Sequence, residues 1–273
     1  MIHTLKHFLL FLRGLHEDRR VIAQLTRRDF QTRYLGSYLG LVWAFVQPAV
    51  TIAIFWFVFE VGLRQRGVSG EPFVLFLVSG LIPWFFFADA LSGATTAVLQ
   101  NDFLVKNVVF RVSVLPIVRV LCALFIHAFF LCVLVGLFAL YGRWPDAYSL
   151  QVLYYSAGAA VLLLGLGWGL SAVGPFVRDL PHLVNVVVQL GFWLTPIVWN
   201  FEFVERKSRL IATLLKLNPM FYVVRGYRDA LVTKVWFWQH PWGTAYFWCV
   251  TGAVFVLGAT VFRRLRPHFA DVL

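Results

Sequence analysis

Charge is what this sequence has least of. Asp, Glu, Lys and Arg make up 14% of its 273 residues, against about 25% in soluble domains, whereas 60% are hydrophobic and 18% aromatic. That shortage excludes a water-solvated globular domain and points to a surface bathed in lipid. Cysteine is also scarce. Cys122, Cys132 and Cys249 fall inside apolar stretches without metal-ligand spacing and read as small buried hydrophobes. No Gly-x4-Gly-Lys-Ser/Thr phosphate loop, no Gly-x-Ser-x-Gly elbow and no His/Cys pairing at zinc spacing is present, so the chain has no nucleotide-hydrolysing apparatus of its own. The first apolar run, residues 8–12, is too short for a secretory signal and lacks a small-residue cleavage site behind it; the N-terminus is expected to be retained.

What is there is hydrophobic length. A helix needs about 20 mostly apolar residues to cross a hydrocarbon layer about 30 Å thick, and six runs qualify: about 41–63, 73–99, 115–140, 150–176, 183–199 and 242–262. They are apolar on every side rather than alternating, so helices are expected and not a barrel. The expected class is an all-α membrane protein, divided into a basic N-terminal segment 1–40, a six-span domain 41–262 and a tail 263–273.

Seven of the 24 basic residues lie in the first forty positions, which places the N-terminus in the cytoplasm under the positive-inside rule. Six spans return the C-terminus to the same side. The segment 201–241 resists this count: it falls outside yet carries Arg206, Lys207, Arg209, Lys216, Arg225, Arg228 and Lys234. Its two apolar patches, 210–217 and 220–224, are too short to span and suggest a re-entrant or interfacial hairpin as readily as a plain helical cap. At the other end, Ile2, Leu5, Leu9 and Leu12 recur at helical spacing among basic residues, predicting an amphipathic helix that lies on an anionic leaflet.

Few polar side chains interrupt the spans. His127 reads as a packing residue. Asp89, expected near the outer half of the second span, is costly there and calls for a helix-capping or interhelical hydrogen bond rather than a proton relay, since no second intramembrane acid of comparable depth accompanies it. The Gly165 to Gly169 spacing permits close helix approach, with intramolecular packing favoured.

The run Arg28-Asp29-Phe30-Gln31-Thr32-Arg33-Tyr34, followed by Ser37, Leu39-Gly40, Trp43 and Gln47-Pro48, resembles the permease subunits of polysaccharide-exporting ABC transporters, the O-antigen (Wzm-type) permeases in particular. The resemblance continues through Ser79-Gly80-Leu81-Ile82-Pro83-Trp84, Arg178-Asp179, Thr195-Pro196-Ile197, Asn218-Pro219 and Tyr227-Arg228, nearly the whole chain. It implies a homodimer in the bacterial inner membrane with two separate ATPase chains that bind ATP and Mg, exporting a glycan carried on undecaprenyl pyrophosphate. No cofactor or metal is implied in this chain.

The resemblance also implies an ATPase-coupling loop, expected at Gln100, Asn101, Asp102, Lys106, Phe110 and Arg111; Phe110 is followed by Arg111 where the family usually has proline. Arg27, Arg28 and Arg33 become the expected contacts for the lipid pyrophosphate. Trp43, Trp56, Trp84, Trp193 and Trp199 are candidate channel aromatics, against the ordinary interfacial belt. Leu210, Leu214, Leu217, Asn218, Pro219, Phe221 and Tyr222 form a candidate external gate. A capsule or teichoic acid exporter of the same family fits these features too. A secondary transporter would need mid-membrane ion ligands and inverted repeats, and an intramembrane enzyme several clustered acids, histidines or metal ligands; neither pattern is found.

Overall fold

The computed structural model describes residues 18–35, 40–65, 71–103 and 111–272. The expected amphipathic helix over residues 2–12 lies outside them. Among the described residues all regular structure is helical. Helix α1 (Arg19–Phe30) runs into a π turn (Gln31–Leu35). Helix α2 (Gly40–Trp56) continues as a π turn through Gly62, and α3 (Phe73–Thr96), α4 (Val114–Leu140) and α5 (Gln151–Val173) follow. Next come α6 (Leu180–Leu194) and the short helices α7 (Phe201–Lys207), α8 (Arg209–Lys216) and α9 (Pro219–Arg228). Helix α10 (Pro241–Leu265) and a final turn, α11 (Phe269–Val272), complete the chain.

Five segments are long and apolar enough to cross a bilayer: Val42–Gly62, Phe73–Thr96, Val114–Leu140, Ala147–Val173 and Pro241–His268. They coincide with five of the six expected runs. The remaining run, expected over 183–199, is the 15-residue helix α6. At 1.5 Å per residue it reaches only about 22 Å. Its stop is written in Pro196, whose ring disfavours helical dihedrals in the preceding residue; Thr195 is extended, with φ −90° and ψ 133°.

Contacts sort the connecting segments to two ends. Where α3 begins, Arg143 pairs with Glu71 and Lys234 with Asp146, and the Arg228 guanidinium lies 3.6 Å from the Phe76 ring centre. Where α3 finishes, Arg119 bonds Asp29 and Gln100, and Phe176 packs on Phe269. The α6–α10 connection therefore sits at one end, the hairpin end, and α1 at the other.

Asp89 belongs with α1. Its carboxylate accepts a hydrogen bond from Arg33 at 2.5 Å: α3 runs away from the hairpin end, and Asp89 lies past its midpoint, in the half opposite the hairpin. The expected role as an interhelical hydrogen-bond partner holds.

Helix α3 is the axle of the bundle, with Leu75, Leu77, Leu81, Ala90 and Ala94 wholly buried. Helix α2 is the opposite: none of the apolar window of its span is buried. Lipid tails are as apolar as leucine, so close packing and polar contacts must hold such helices together. The most extensive contact, α5 against α10, shows how. A Cβ on Gly258 would lie 1.9 Å from the Gly165 carbonyl oxygen, and one on Gly165 2.6 Å from Phe255 Cα. The Gly165 to Gly169 spacing serves intramolecular packing, as expected.

Candidate functional site

Three ion pairs tie the N-terminal segment to the ends of α3 and α4. Asp18 meets Arg111 at 3.2 Å and Asp29 meets Arg119 at 3.1 Å, while Arg33 holds Asp89. Arg119 also donates to Gln100 at 2.7 Å, so one guanidinium joins α1 to the loop after α3. In that loop the Asn101 amide donates to the Ala97 carbonyl at 2.8 Å, and Asp102 accepts from the Phe103 amide at 2.8 Å. Of the expected coupling residues, Gln100 and Arg111 are thus tied to the α1 segment, Asn101 and Asp102 bond next to them along the chain, and Lys106 and Phe110 lie outside the described residues. Arg27 and Arg28 are exposed on α1.

Two cavities flank the Arg33–Asp89 pair. One, of about 510 Å³, lies between α2, α3 and α4 and is lined by Trp43, Gln47, Phe86 and His127 among others. The second, of about 500 Å³, is more polar and is lined by Asp29, Ser92, Gln100, Arg119 and Asn185, with Arg33 shared.

At the hairpin end the break in α6 is closed by two side chains. Asn218 caps α9 by accepting from the Met220 amide at 3.0 Å, and its own amide donates to Thr195 Oγ1 at 2.8 Å. Arg228, half-buried, donates to the carbonyls of Pro196 at 2.5 Å and Ile197 at 2.7 Å. Burial pushes its guanidinium down to about 9, opposed by neighbouring Asp229, which leaves it cationic at neutral pH. Room for it comes from Gly80, where a Cβ would stand 2.9 Å from Arg228 Nη2. Four of the sequence blocks that carry the family resemblance therefore meet at one place.

The expected gate residues divide. Leu210, Leu214 and Leu217 are 72%, 57% and 51% exposed, one apolar face of α8. Asn218 and Pro219 form the start of α9, and Phe221 is buried beside half-buried Tyr222. Deeper in, His127 Nε2 lies 2.8 Å from the Tyr227 hydroxyl and 3.2 Å from Ser156 Oγ. This polar knot fixes α9 to α4 and α5, the packing role expected of the histidine.

The aromatic candidates divide as well. Trp43 and Trp56 on α2 and Trp193 on α6 are exposed; half-buried Trp199 donates its indole N–H to the Trp193 carbonyl at 3.1 Å. Trp84 differs from the other four. It is 4% exposed and packs on Phe87 and Phe192, because α3 is enclosed by its neighbours.

Sequence reasoning missed Arg119 with Asp29, and used Tyr227-Arg228 only as a signature. A signal for Arg228 existed: Thr195-Pro196 frees carbonyls inside an apolar region, and freed carbonyls need donors. Nothing comparable pointed to Arg119.

A family model described as ABC-2 type transporter matches residues 20–232. The O-antigen export system permease protein RfbA of Myxococcus xanthus is 28% identical over 267 residues, covering 95% of this chain and 98% of that protein. A Klebsiella pneumoniae permease of the same name is 27% identical over 258 residues, covering 93% and 95%. The polysialic acid transport protein KpsM of Escherichia coli is more distant, 21% identical over 220 residues, covering 80% and 84%. On the match over residues 20–232, the chain belongs to the ABC-2 type transporter family of membrane proteins.

Proposed function

We propose that this chain is the membrane permease of an ABC transporter that exports a lipid-linked polysaccharide of O-antigen type across the bacterial inner membrane. The observation that carries this reading is the nearly end-to-end likeness to O-antigen export permeases, on a bundle with five long apolar helices. In this reading the chain is not itself an enzyme. Two copies pair, two ATPase subunits bind ATP and Mg, and an undecaprenyl pyrophosphate carrier brings the glycan.

The α1 end faces the cytoplasm, and α6 with the turn residues after it makes the sixth crossing. The segment 100–111 receives the ATPase, a role supported by its bonds to α1 through Arg119 and Arg111. Arg27, Arg28 and Arg33 attract the pyrophosphate, exposed charges suited to an anionic head group. Trp43, Trp56, Trp193 and Trp199 border the glycan path between two copies, and the exposed face of α8 closes it from outside. Motion passes from the ATPase to the spans because α1 and the loop after α3 are one bonded unit, which is what a lever between two packed states requires.

Deletion of the chain in its host is expected to abolish surface glycan and to leave lipid-linked glycan on the inner leaflet, with both restored by the intact chain. Which glycan disappears separates O-antigen export from capsule export, the second reading favoured by the polysialic acid relative. Unchanged surface glycan would overturn the proposal.

A further inference from the structure

A third cavity, of about 330 Å³, opens at the hairpin end between α9, residues 229–240 and the start of α10. It shares only Phe221 and Tyr222 with the proposed gate. Two pairs of side chains, each one helical turn apart, line it from different elements: Trp242 and Tyr246 on α10, and Arg225 and Asp229 at the end of α9. Gln239, His240 and Lys216, the last held by Glu205 at 2.7 Å, complete the polar part.

The aromatic part is open, and one of its rings is held in place. Trp242 is 88% exposed, and the Tyr246 hydroxyl donates to the Leu217 carbonyl at 2.8 Å, which fixes its ring. The polar part is incomplete. Asp229 is 7% exposed; one carboxylate oxygen accepts from Thr233 at 3.0 Å. The other meets Arg225 Nε only at 3.6 Å and His240 Nε2 at 3.5 Å, beyond the usual range of about 2.7 to 3.2 Å. Those long approaches leave the oxygen room to take a ligand hydroxyl at normal hydrogen-bond distance.

Few ligand classes want both walls. A hydrocarbon chain would leave Asp229 and Arg225 unsatisfied, and a phosphate would meet the Asp229 carboxylate. A sugar ring has C–H faces that suit the negative face of an aromatic ring and a rim of hydroxyls that suits carboxylate, guanidinium, amide and imidazole. We infer that this cavity is a saccharide subsite, with Trp242 and Tyr246 against the ring face of one sugar unit and Asp229 and Arg225 on its hydroxyls. The inference rests on the export reading, since the sugar is a unit of the exported glycan.

The test uses the full chain in its host with its ATPase, and the host's own glycan as probe. Trp242→Phe and Trp242→Leu are compared for surface glycan, membrane abundance of the permease, and ATP hydrolysis by the purified complex with and without added glycan. Trp242→Leu is expected to lower export about tenfold, the equivalent of about 1.4 kcal/mol, with abundance and basal hydrolysis unchanged, while Trp242→Phe stays near the parent. Asp229→Asn should raise the glycan concentration that half-stimulates hydrolysis. Parent-like export by Trp242→Leu would overturn the subsite, as would an equal fall for Phe and Leu, the pattern of a membrane-interface tryptophan valued for its N–H. Chain deletion without loss of surface glycan would overturn the export reading instead.

Discussion

The two ends of this bundle are held by different kinds of contact. At the α1 end side chain meets side chain, in Asp18–Arg111, Asp29–Arg119 and Arg33–Asp89, all partly exposed. The hairpin end has such pairs as well, Arg143–Glu71 and Lys234–Asp146, but adds the half-buried cation of Arg228 on backbone carbonyls. An exposed ion pair contributes about 0 to 1 kcal/mol and its partners can be exchanged. A half-buried cation bonded to two carbonyls cannot leave without stranding those acceptors. The difference teaches where this molecule is able to rearrange: contacts that can be remade lie beside the segment proposed to receive the ATPase, and contacts that cannot lie around the break in α6.

The largest effect is expected from Arg228→Met, which strands the Pro196 and Ile197 carbonyls. A loss of about 3 kcal/mol or more should appear as a lowered Tm in detergent, with Arg228→Lys between the variant and the parent. Arg119→Gln breaks the links to Asp29 and Gln100 at the other end. It should cost about 1 kcal/mol in the same measurement, yet abolish glycan-stimulated ATP hydrolysis in the complex. A fall in Tm as deep as that of Arg228→Met would erase the distinction between the ends.

The smallest effect lies on the hairpin's surface. The Lys216 hydrogen bond holds the Glu205 carboxyl below its usual range, and a depressed carboxylate stabilises the fold above its unfolded pKa of about 4.3. That stabilisation is lost as pH falls through the lower folded value. Because both side chains are nearly half exposed, Lys216→Gln should remove no more than about 0.5 kcal/mol near neutral pH, and the difference from the parent should shrink in acid.

Helical class and the positions of five long apolar helices were legible because lipid demands long apolar runs, and those are countable. The length of α6 was harder to read. Residues 183–199 are apolar throughout, but Pro196 ends the helix at Leu194, so hydropathy outran backbone geometry. Trp84 shows a related limit: hydropathy does not say which face of an apolar helix meets lipid, and the enclosure of α3 buried a ring that composition left open. The Asp89 role was legible from the cost of a carboxylate in a span; its partner and its end were not, since Arg33 is 56 residues away. Gly80, Thr195-Pro196, Asn218 and Arg228 could be read as a signature, but their common purpose, closing a broken helix, appears only when the chain is folded.

The glycine contact between α5 and α10 has a kinematic consequence. With the Gly165 carbonyl nested against Gly258, neither helix can slide or roll on the other without driving a backbone atom through a carbonyl oxygen. The pair is a keel, and any stroke the molecule makes has to be taken up by the thinly packed α2 and the truncated α6.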